Sequence, residues 1–387
     1  MPRSRQDRKD PSSAGHGGKI ASQTKHPTTK RDPHEPRIPI NLQQLLLNIF
    51  KDSFPQVLAS GSLPSVLQEI KGALYKRDFQ RAFETQEYLE AYAVRWSPSR
   101  ALCYQTILAE AKEYLSDIFP CLAPDQAQCA LEAKASHESR VAVLCLGGGA
   151  AEAVAFGGFI RYLKEASKKE WGDSEEHAAQ SLDCPLNADT TSASIEVRLV
   201  DRAPWQNVIH ELDQSLFEPP KTSQYSSASS RGNNRPMLDR SDLCISFHQI
   251  DVLSMSARQI AQLTGRRPIL VTFFFTLNEL YSHSVSSTTK LLLDLSASLQ
   301  KNSILLVVDS PGSYSETQIG ADTKKYPMHW LLDYCLLQTP SKESENMPPH
   351  WTKIMSLESA WFRVPEALRY PIPLENMRYQ IHVYRKT

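Results

Sequence analysis

The chain has 387 residues, enough for one large elaborated domain or two smaller ones. Its 43 Lys and Arg balance its 43 Asp and Glu, which excludes a uniformly basic nucleic-acid coat, and its 41% hydrophobic content excludes a wholly disordered chain. No apolar stretch approaches the ~20 residues of a membrane-spanning helix, the first residues lack the apolar core of a secretory signal, and the seven cysteines form no C-x-x-C pair, so reduced thiols in an intracellular protein are expected.

Residues 1–38 read as a disordered basic tail: nine Lys and Arg against four Asp and Glu, a formal +5 that leaves −5 on the remainder. Such a tail suits loose contact with RNA phosphates or nuclear import, and equally a plain spacer. Residues 39–135 read as a helical module. Leu42, Leu45, Leu46, Ile49 and Phe50 form an amphipathic stripe. Pro64 suits a first helical position, Asp78 suits a cap, and Ser97-Pro98 is a start signal. From about 136 to 387 the pattern changes. Apolar runs at Val141–Leu146, Ile195–Val200, Ile269–Phe275 and Ser303–Val308 alternate with helix-like stretches, with a weaker run at Ile245–Ile250. This implies a parallel sheet covered by helices on both faces. Residues 378–384 alternate as a half-solvated antiparallel strand would. Polar insertions near 167–193 and 219–241 read as surface loops.

The first strand runs straight into Gly147-Gly148-Gly149-Ala150-Ala151-Glu152. Glycines let the backbone turn sharply and approach a ligand, and the following helix offers its amide donors and positive dipole end. No Gly-Lys-Ser/Thr follows, so this is not a P-loop, and Glu152 stands where a dinucleotide fingerprint needs its third glycine. Gly147, Gly149 and Ala151 fit the looser G-x-G-x-small pattern that holds the amino-acid part of S-adenosylmethionine. Asp201 ends the second strand, where a carboxylate accepts from both ribose hydroxyls. Trp205 is placed to pack near the adenosine, and Asp251, after the third strand, can take the adenine amino group. Each aspartate also suits a helix cap. Their order at successive strand ends is more specific than any one of them.

The fourth strand leads into Thr276-Leu277-Asn278-Glu279. Reacting groups gather at such strand ends. Asn278 offers a donor and an acceptor for a base edge, and Glu279 can take a proton, although both also suit a helix start. No cysteine sits near this strand or the next to act as a nucleophile for C5 methylation. There is no G-x-S-x-G elbow and no H-E-x-x-H, and the histidines show no metal spacing.

The segments RWSPSRALCYQTIL (95–108), VLCLGGGAAEAVAFGGF (143–159), FFFTLNELYS (273–282) and LENMRYQIHVYR (374–385) resemble a fungal family of SAM-dependent methyltransferases that methylate N3 of a uridine in 25S ribosomal RNA. The resemblance spans most of 39–387. It implies an α/β fold, a class I (Rossmann-like) methyltransferase sheet with an N-terminal helical module. It also implies S-adenosyl-L-methionine as cofactor, no metal, and large-subunit ribosomal RNA or a pre-ribosomal particle as partner, in the nucleus, nucleolus or cytoplasm. Carried over residue by residue, Gly147, Gly149 and Ala151 line the methionine part, Asp201 the ribose and Asp251 the adenine, while Thr276, Asn278 and Glu279 face the base. Cys145 stands where an acidic residue often precedes the glycines, which makes Glu152 an alternative partner for the cofactor's ammonium group. Arg95, Arg100 and Arg363 are candidate phosphate contacts. Other acceptors on the same fold, a non-catalytic ribosome-assembly scaffold and a nicotinamide-dependent oxidoreductase stay open at this point.

Overall fold

Short runs of apolar residues at helical spacing build the first part of the protein. The computed structural model describes residues 38–116, 118–119, 141–172, 194–220, 235–312, 316–318, 325–337 and 350–387. The expected tail and most of both expected insertions lie outside the described residues. Among the described residues seven helices come first: α1 (Ile40–Ser53), α2 (Pro55–Ala59), α3 (Leu63–Tyr75), α4 (Phe79–Ala82), α5 (Gln86–Arg95), α6 (Ser97–Glu110) and α7 (Lys112–Leu115). The α1 stripe is buried at Leu42, Leu46, Ile49 and Phe50, with Leu47 added to it. Asp78 caps α4 by accepting the Arg81 amide at 3.1 Å. Ser97 does not cap α6. It already lies inside the helix, and the capping position is Trp96, in the right-handed helical region and without a side-chain bond. Packing sets this start rather than a hydroxyl, because Ser97, Pro98 and Ser99 are all buried.

The sheet has seven strands: β1 (Val141–Leu146), β2 (Ile195–Asp201), β3 (Leu243–Gln249), β4 (Leu270–Phe274), β5 (Ile304–Asp309), β8 (Trp351–Phe362) and β9 (Met377–Lys386). A separate two-stranded ribbon, β6 (Glu316–Gln318) with β7 (Lys325–Pro327), follows β5. The strand order is β3-β2-β1-β4-β5-β9-β8, with the first five parallel and β9 and β8 antiparallel. The chain moves outward from β1 to β3, then returns to pair β4 with β1 through Val143–Leu270 and Cys145–Thr272. This reversal opens a crevice at the carboxyl ends of β1 and β4.

Helix α8 (Ala150–Gly172) follows β1 and α9 (Gln206–Phe217) follows β2. A 3-10 turn (Val252–Ser254) and α10 (Ala257–Thr264) follow β3, α11 (Leu277–His283) and α12 (Val285–Ser298) follow β4, and α13 (Met328–Leu337) follows β7. Strand alternation sends Val143, Cys145, Val197, Leu199 and Leu270 to one face, where they pack with α1, α5, α6, α8 and α9. Leu144, Leu146, Val200, Val271 and Phe273 face α10 to α13 on the other side. Gly157 and Gly158 in α8 make close seating possible. A Cβ on Gly158 would lie 2.7 Å from Leu46 and 2.8 Å from Gln105, and one on Gly157 would lie 2.8 Å from Leu216. The N-terminal helices therefore sit directly on the first crossover helix, within one compact unit spanning Ile38–Thr387.

Two readings of the sheet change. The final strand is not half-solvated: Tyr379–Tyr384 are buried because β9 lies between β5 and β8 with helices over it. Strand β8 carried no alternating signal, since it is an edge strand with two register shifts and a long exposed stretch. No described helix is long and apolar enough to cross a membrane.

Candidate active site

The crevice is built from the residues that close each central strand. After Leu146 the chain turns at Gly147, whose φ is +74°. Its amide donates to the Val200 carbonyl at 2.8 Å. A Cβ at Gly147 would lie 2.3 Å from Cγ2 and 2.5 Å from Oγ1 of Thr276, so the loop after β1 and the residue after β4 are in direct contact. At Gly149 a Cβ would lie 3.3 Å from the Trp205 indole. Ala151 is buried in the first turn of α8.

Glu152 is the third residue of α8, and its Oε2 accepts the Gly149 amide at 2.8 Å. This is the carboxylate half of a capping box. The helix end expected to present free amides is therefore partly closed by the chain's own side chain. Glu152 is 5% exposed, and burial pushes its carboxyl up to about 7 against the pull of the Gly149 amide and Arg100. Cys145 is buried beside it, and burial pushes its thiol up, so it stays neutral.

Asp201 ends β2 and accepts the Ala203 amide at 2.7 Å. Burial raises its carboxyl to about 6, while the Ala203 amide, Arg202 and a hydrogen bond from Trp205 oppose the rise. Trp205 is thus tied to Asp201 and lies on the glycine loop rather than out over the crevice. Phe83 and Tyr92 pack on it at 5.6 and 5.8 Å between ring centroids. The Ile250 amide donates to the Asp201 carbonyl at 2.9 Å and brings Asp251 alongside. Asp251 is exposed and accepts the Leu253 amide at 3.0 Å, capping the 3-10 turn. The cap of α10 is instead Ser256, in a reciprocal box with Gln259.

On the other side of the crevice, Phe275 takes a φ of +57° and donates its amide to the Val308 carbonyl at 2.7 Å. Thr276 Oγ1 donates to the Phe274 carbonyl at 3.1 Å. Asn278 and Glu279 lie inside the first turn of α11. Asn278 is buried, and its backbone N–H donates to Asp309 Oδ2 at 2.9 Å. Glu279 is half-buried and pairs with Arg77 at 3.6 Å. Burial raises its carboxyl, with Arg77 and then Arg100 opposing.

The crevice also holds groups that the sequence reading missed or misplaced. Asp309 ends β5, accepts the Asn278 and Ser310 amides, and is raised by burial to about 7. The strand-end rule that found Asp201 would have found it. Arg100 was a candidate phosphate contact together with Arg95 and Arg363. Arg95 pairs with Glu375, and Arg363 stacks on Trp361 at 4.4 Å. Arg100 instead turns inward and donates to the Tyr92 hydroxyl. No local signal marks it, because it comes from α6, far upstream of β4.

Gly147, Gly149, Thr276, Asn278 and Glu279 thus share one crevice, with Asp201 and Asp251 along its β2 and β3 side. Carboxylates at those strand ends and a glycine turn without room for a Cβ fit a cationic cofactor bearing hydroxyl and amino groups. A cleft of about 570 Å³ between α1, α2, α5 and α9 lies away from these strand ends. Among the described residues, no group of three or more His, Cys, Asp or Glu is placed to hold a metal ion.

A protein family described as "Putative SAM-dependent methyltransferase" matches residues 50–385. The chain is 28% identical over 351 residues to the 25S rRNA (uridine(2843)-N(3))-methyltransferase of Saccharomyces cerevisiae, covering 89% of this chain and 85% of that protein. Among solved structures it is similar to N-methyltransferase NodS from Bradyrhizobium japonicum in complex with S-adenosyl-L-homocysteine, at 9% identity over 74% of this chain and 98% of that one, TM-score 0.30. It is also similar to a SAM-dependent methyltransferase from Methanosarcina mazei, at 8% identity over 66% and 96%, TM-score 0.31.

Proposed function

The chain belongs to this family of SAM-dependent methyltransferases, and from that premise we propose that it methylates N3 of a uridine in large-subunit ribosomal RNA. The observation that carries the acceptor is the likeness along nearly the whole chain to a yeast enzyme named for that reaction. Acting on ribosomal RNA or a pre-ribosomal particle, the protein would work in the nucleus, the nucleolus or the cytoplasm.

The residues divide by side of the crevice. Gly147, Gly149 and Ala151 hold the methionine part of the cofactor, Asp201 accepts from the ribose and Asp251 from the adenine amino group. Bound S-adenosylmethionine supplies a methyl group already activated by its sulfonium charge. The protein's task is therefore alignment and removal of one proton, since N3 of uracil is protonated at neutral pH. Glu279 is the proton acceptor. Burial raises its carboxyl above the ordinary value, which makes its carboxylate a stronger base. Asn278 holds a uracil carbonyl, and its place in the first turn of α11 is fixed by the hydrogen bond its backbone N–H donates to Asp309. Thr276 locks the acceptor side onto the glycine turn. Glu152 is turned back onto the Gly149 amide, so its part is to hold the loop rather than to meet the cofactor's ammonium group.

The test is removal of the protein from its own cells, followed by nucleoside mapping of large-subunit ribosomal RNA. Loss of one 3-methyluridine is expected. An unchanged map would refute the acceptor assignment.

A further inference from the structure

Arg100 has no part in the chemistry described so far, yet it lies inside the crevice. Helix α6 carries its guanidinium from the N-terminal helices to the carboxyl end of β4. There Cζ stands 5.4 Å from the Tyr92 ring centroid and 5.8 Å from that of Phe275. One N–H donates to the Tyr92 hydroxyl. Among the described residues, no carboxylate lies within ion-pair distance of it. The groups that face it are Tyr92 from α5, Tyr104 from α6 itself, Glu152 from α8, Asp309 from β5 and Glu279 from α11. Burial opposes its charge, and the Glu152 and Asp309 carboxyl groups favour it.

The half-buried guanidinium is thus held protonated by carboxyl groups beyond ion-pair distance, and the side-chain hydrogen bond it donates goes to a neutral hydroxyl. The ring beside it is held at a cost. Phe275 adopts a left-handed φ of +57°, which a bulky residue takes up only when its surroundings enforce it. The Val308 carbonyl and the Tyr104 ring, stacked 6.2 Å away, hold it there. Both features point to a planar anion entering at the acceptor end of β4. Planar guanidinium donors suit planar oxygen acceptors.

We infer that Arg100 is a catalytic residue that donates to a carbonyl oxygen of the uracil and carries the negative charge left when N3 loses its proton. The inference rests on the uridine-N3 reading above. The proton passes from N3 to the Glu279 carboxylate, and the charge left behind is shared by N3, O2 and O4. Arg100 gains one hydrogen bond and changes no covalent bond. The N-terminal helices thus complete the acceptor side of the crevice as well as covering the glycine loop.

The experiment uses the full chain, S-adenosylmethionine and large-subunit ribosomal RNA transcribed with uridine or with 5-fluorouridine, whose N3–H is more acidic. For Arg100→Gln, S-adenosylhomocysteine affinity should stay within about threefold of the unsubstituted chain. The single-turnover rate on uridine RNA should fall about 100-fold. The pH at half-maximal rate should move up, and 5-fluorouridine should restore most of the loss. Should Arg100→Gln not fold, Arg100→Lys carries the same comparison, with a smaller deficit that 5-fluorouridine also reduces. An unchanged rate, or a deficit equal on both RNAs, overturns the inference. A tenfold or greater loss of S-adenosylhomocysteine affinity also overturns it, and moves Arg100 to the cofactor's carboxylate. If the unsubstituted chain forms no 3-methyluridine, the acceptor reading itself fails. If Arg100→Gln forms it as fast as the unsubstituted chain, only the inference about Arg100 fails.

Discussion

Gly147→Ala should disable the cofactor side of the crevice by a mechanism that can be separated into two parts. The first is conformational: φ is +74° at this position, and an alanine forced there costs about 1–3 kcal/mol. The second is steric. The new Cβ would meet Cγ2, Oγ1 and Cβ of Thr276 at 2.3, 2.5 and 2.9 Å, against ordinary contact at 3.4 Å or more. Thr276 has little freedom to yield, since it is β-branched and its hydroxyl is bonded to the Phe274 carbonyl at 3.1 Å. Overpacking of this kind adds about 1–3 kcal/mol. Gly265→Ala is the control, because φ there is +69° and nothing lies within 4 Å of the added carbon. Denaturant unfolding of both variants should show Gly147→Ala to be the more damaging. Titration calorimetry with S-adenosylhomocysteine should show at least a tenfold loss of affinity for Gly147→Ala and none for Gly265→Ala. Adding Thr276→Ala to Gly147→Ala should recover part of the stability by removing two of the three short contacts. If the two glycine variants are equally stable and both bind like the unsubstituted chain, Gly147 is only a turn.

Glu279→Gln should lower single-turnover methyl transfer by about 10²–10⁴-fold while leaving S-adenosylhomocysteine binding within a few-fold, and an unchanged rate would remove Glu279 as the base. Asp201→Asn should weaken S-adenosylhomocysteine by roughly tenfold or more in the same calorimetric assay, as the loss of charged hydrogen bonds of about 1.5–3 kcal/mol requires. Trp205→Ala should cost about 3–5 kcal/mol in denaturant unfolding, because its indole fills the space between Gly149, Phe83 and Tyr92. Stability of the ligand-free protein should fall as pH rises from about 4 to 7. Glu152 and Asp309 hold protons to about 7 and Asp201 to about 6 when folded, whereas unfolded carboxyls release theirs near 4. Each group contributes fully below pH 4 and takes away up to ~1.4 kcal/mol per pH unit across that window. Thermal unfolding of Asp309→Asn should show a shallower slope, and a melting temperature that rises over the window would contradict the burial argument.

Strands β4 and β5 were legible because they are buried on both faces and read as apolar runs ended by Thr or Asp. Strands β1 and β2 were legible because their apolar runs end in Gly and Asp, whereas β3 is only partly buried and gave the weaker run. That punctuation also located the crevice, since the residues closing β1, β2 and β4 are the ones that meet there. Strand β8 was not legible, because an edge strand with exposed residues 356–359 and two bulges has no two-residue period. Glu152 was seen as a poor third glycine, but its use, accepting the Gly149 amide, follows only from its third place in α8. Asp251 was read for adenine or as a cap for the following helix; the cap falls on a 3-10 turn rather than on α10, because Ser256 and Gln259 already cap α10. Arg100 and Trp205 were the least legible. Their positions depend on α5 and α6 packing over the glycine loop, a tertiary contact that no local pattern encodes.

The product formed by the purified chain tests the acceptor most directly. Large-subunit ribosomal RNA lacking the modification, incubated with the protein and methyl-labelled S-adenosylmethionine, would be digested to nucleosides and resolved by mass spectrometry. Label in 3-methyluridine, severely reduced with Glu279→Gln and with Gly147→Ala, is the expected result. Label in another nucleoside, or none from a chain that binds S-adenosylhomocysteine, would contradict the proposed acceptor.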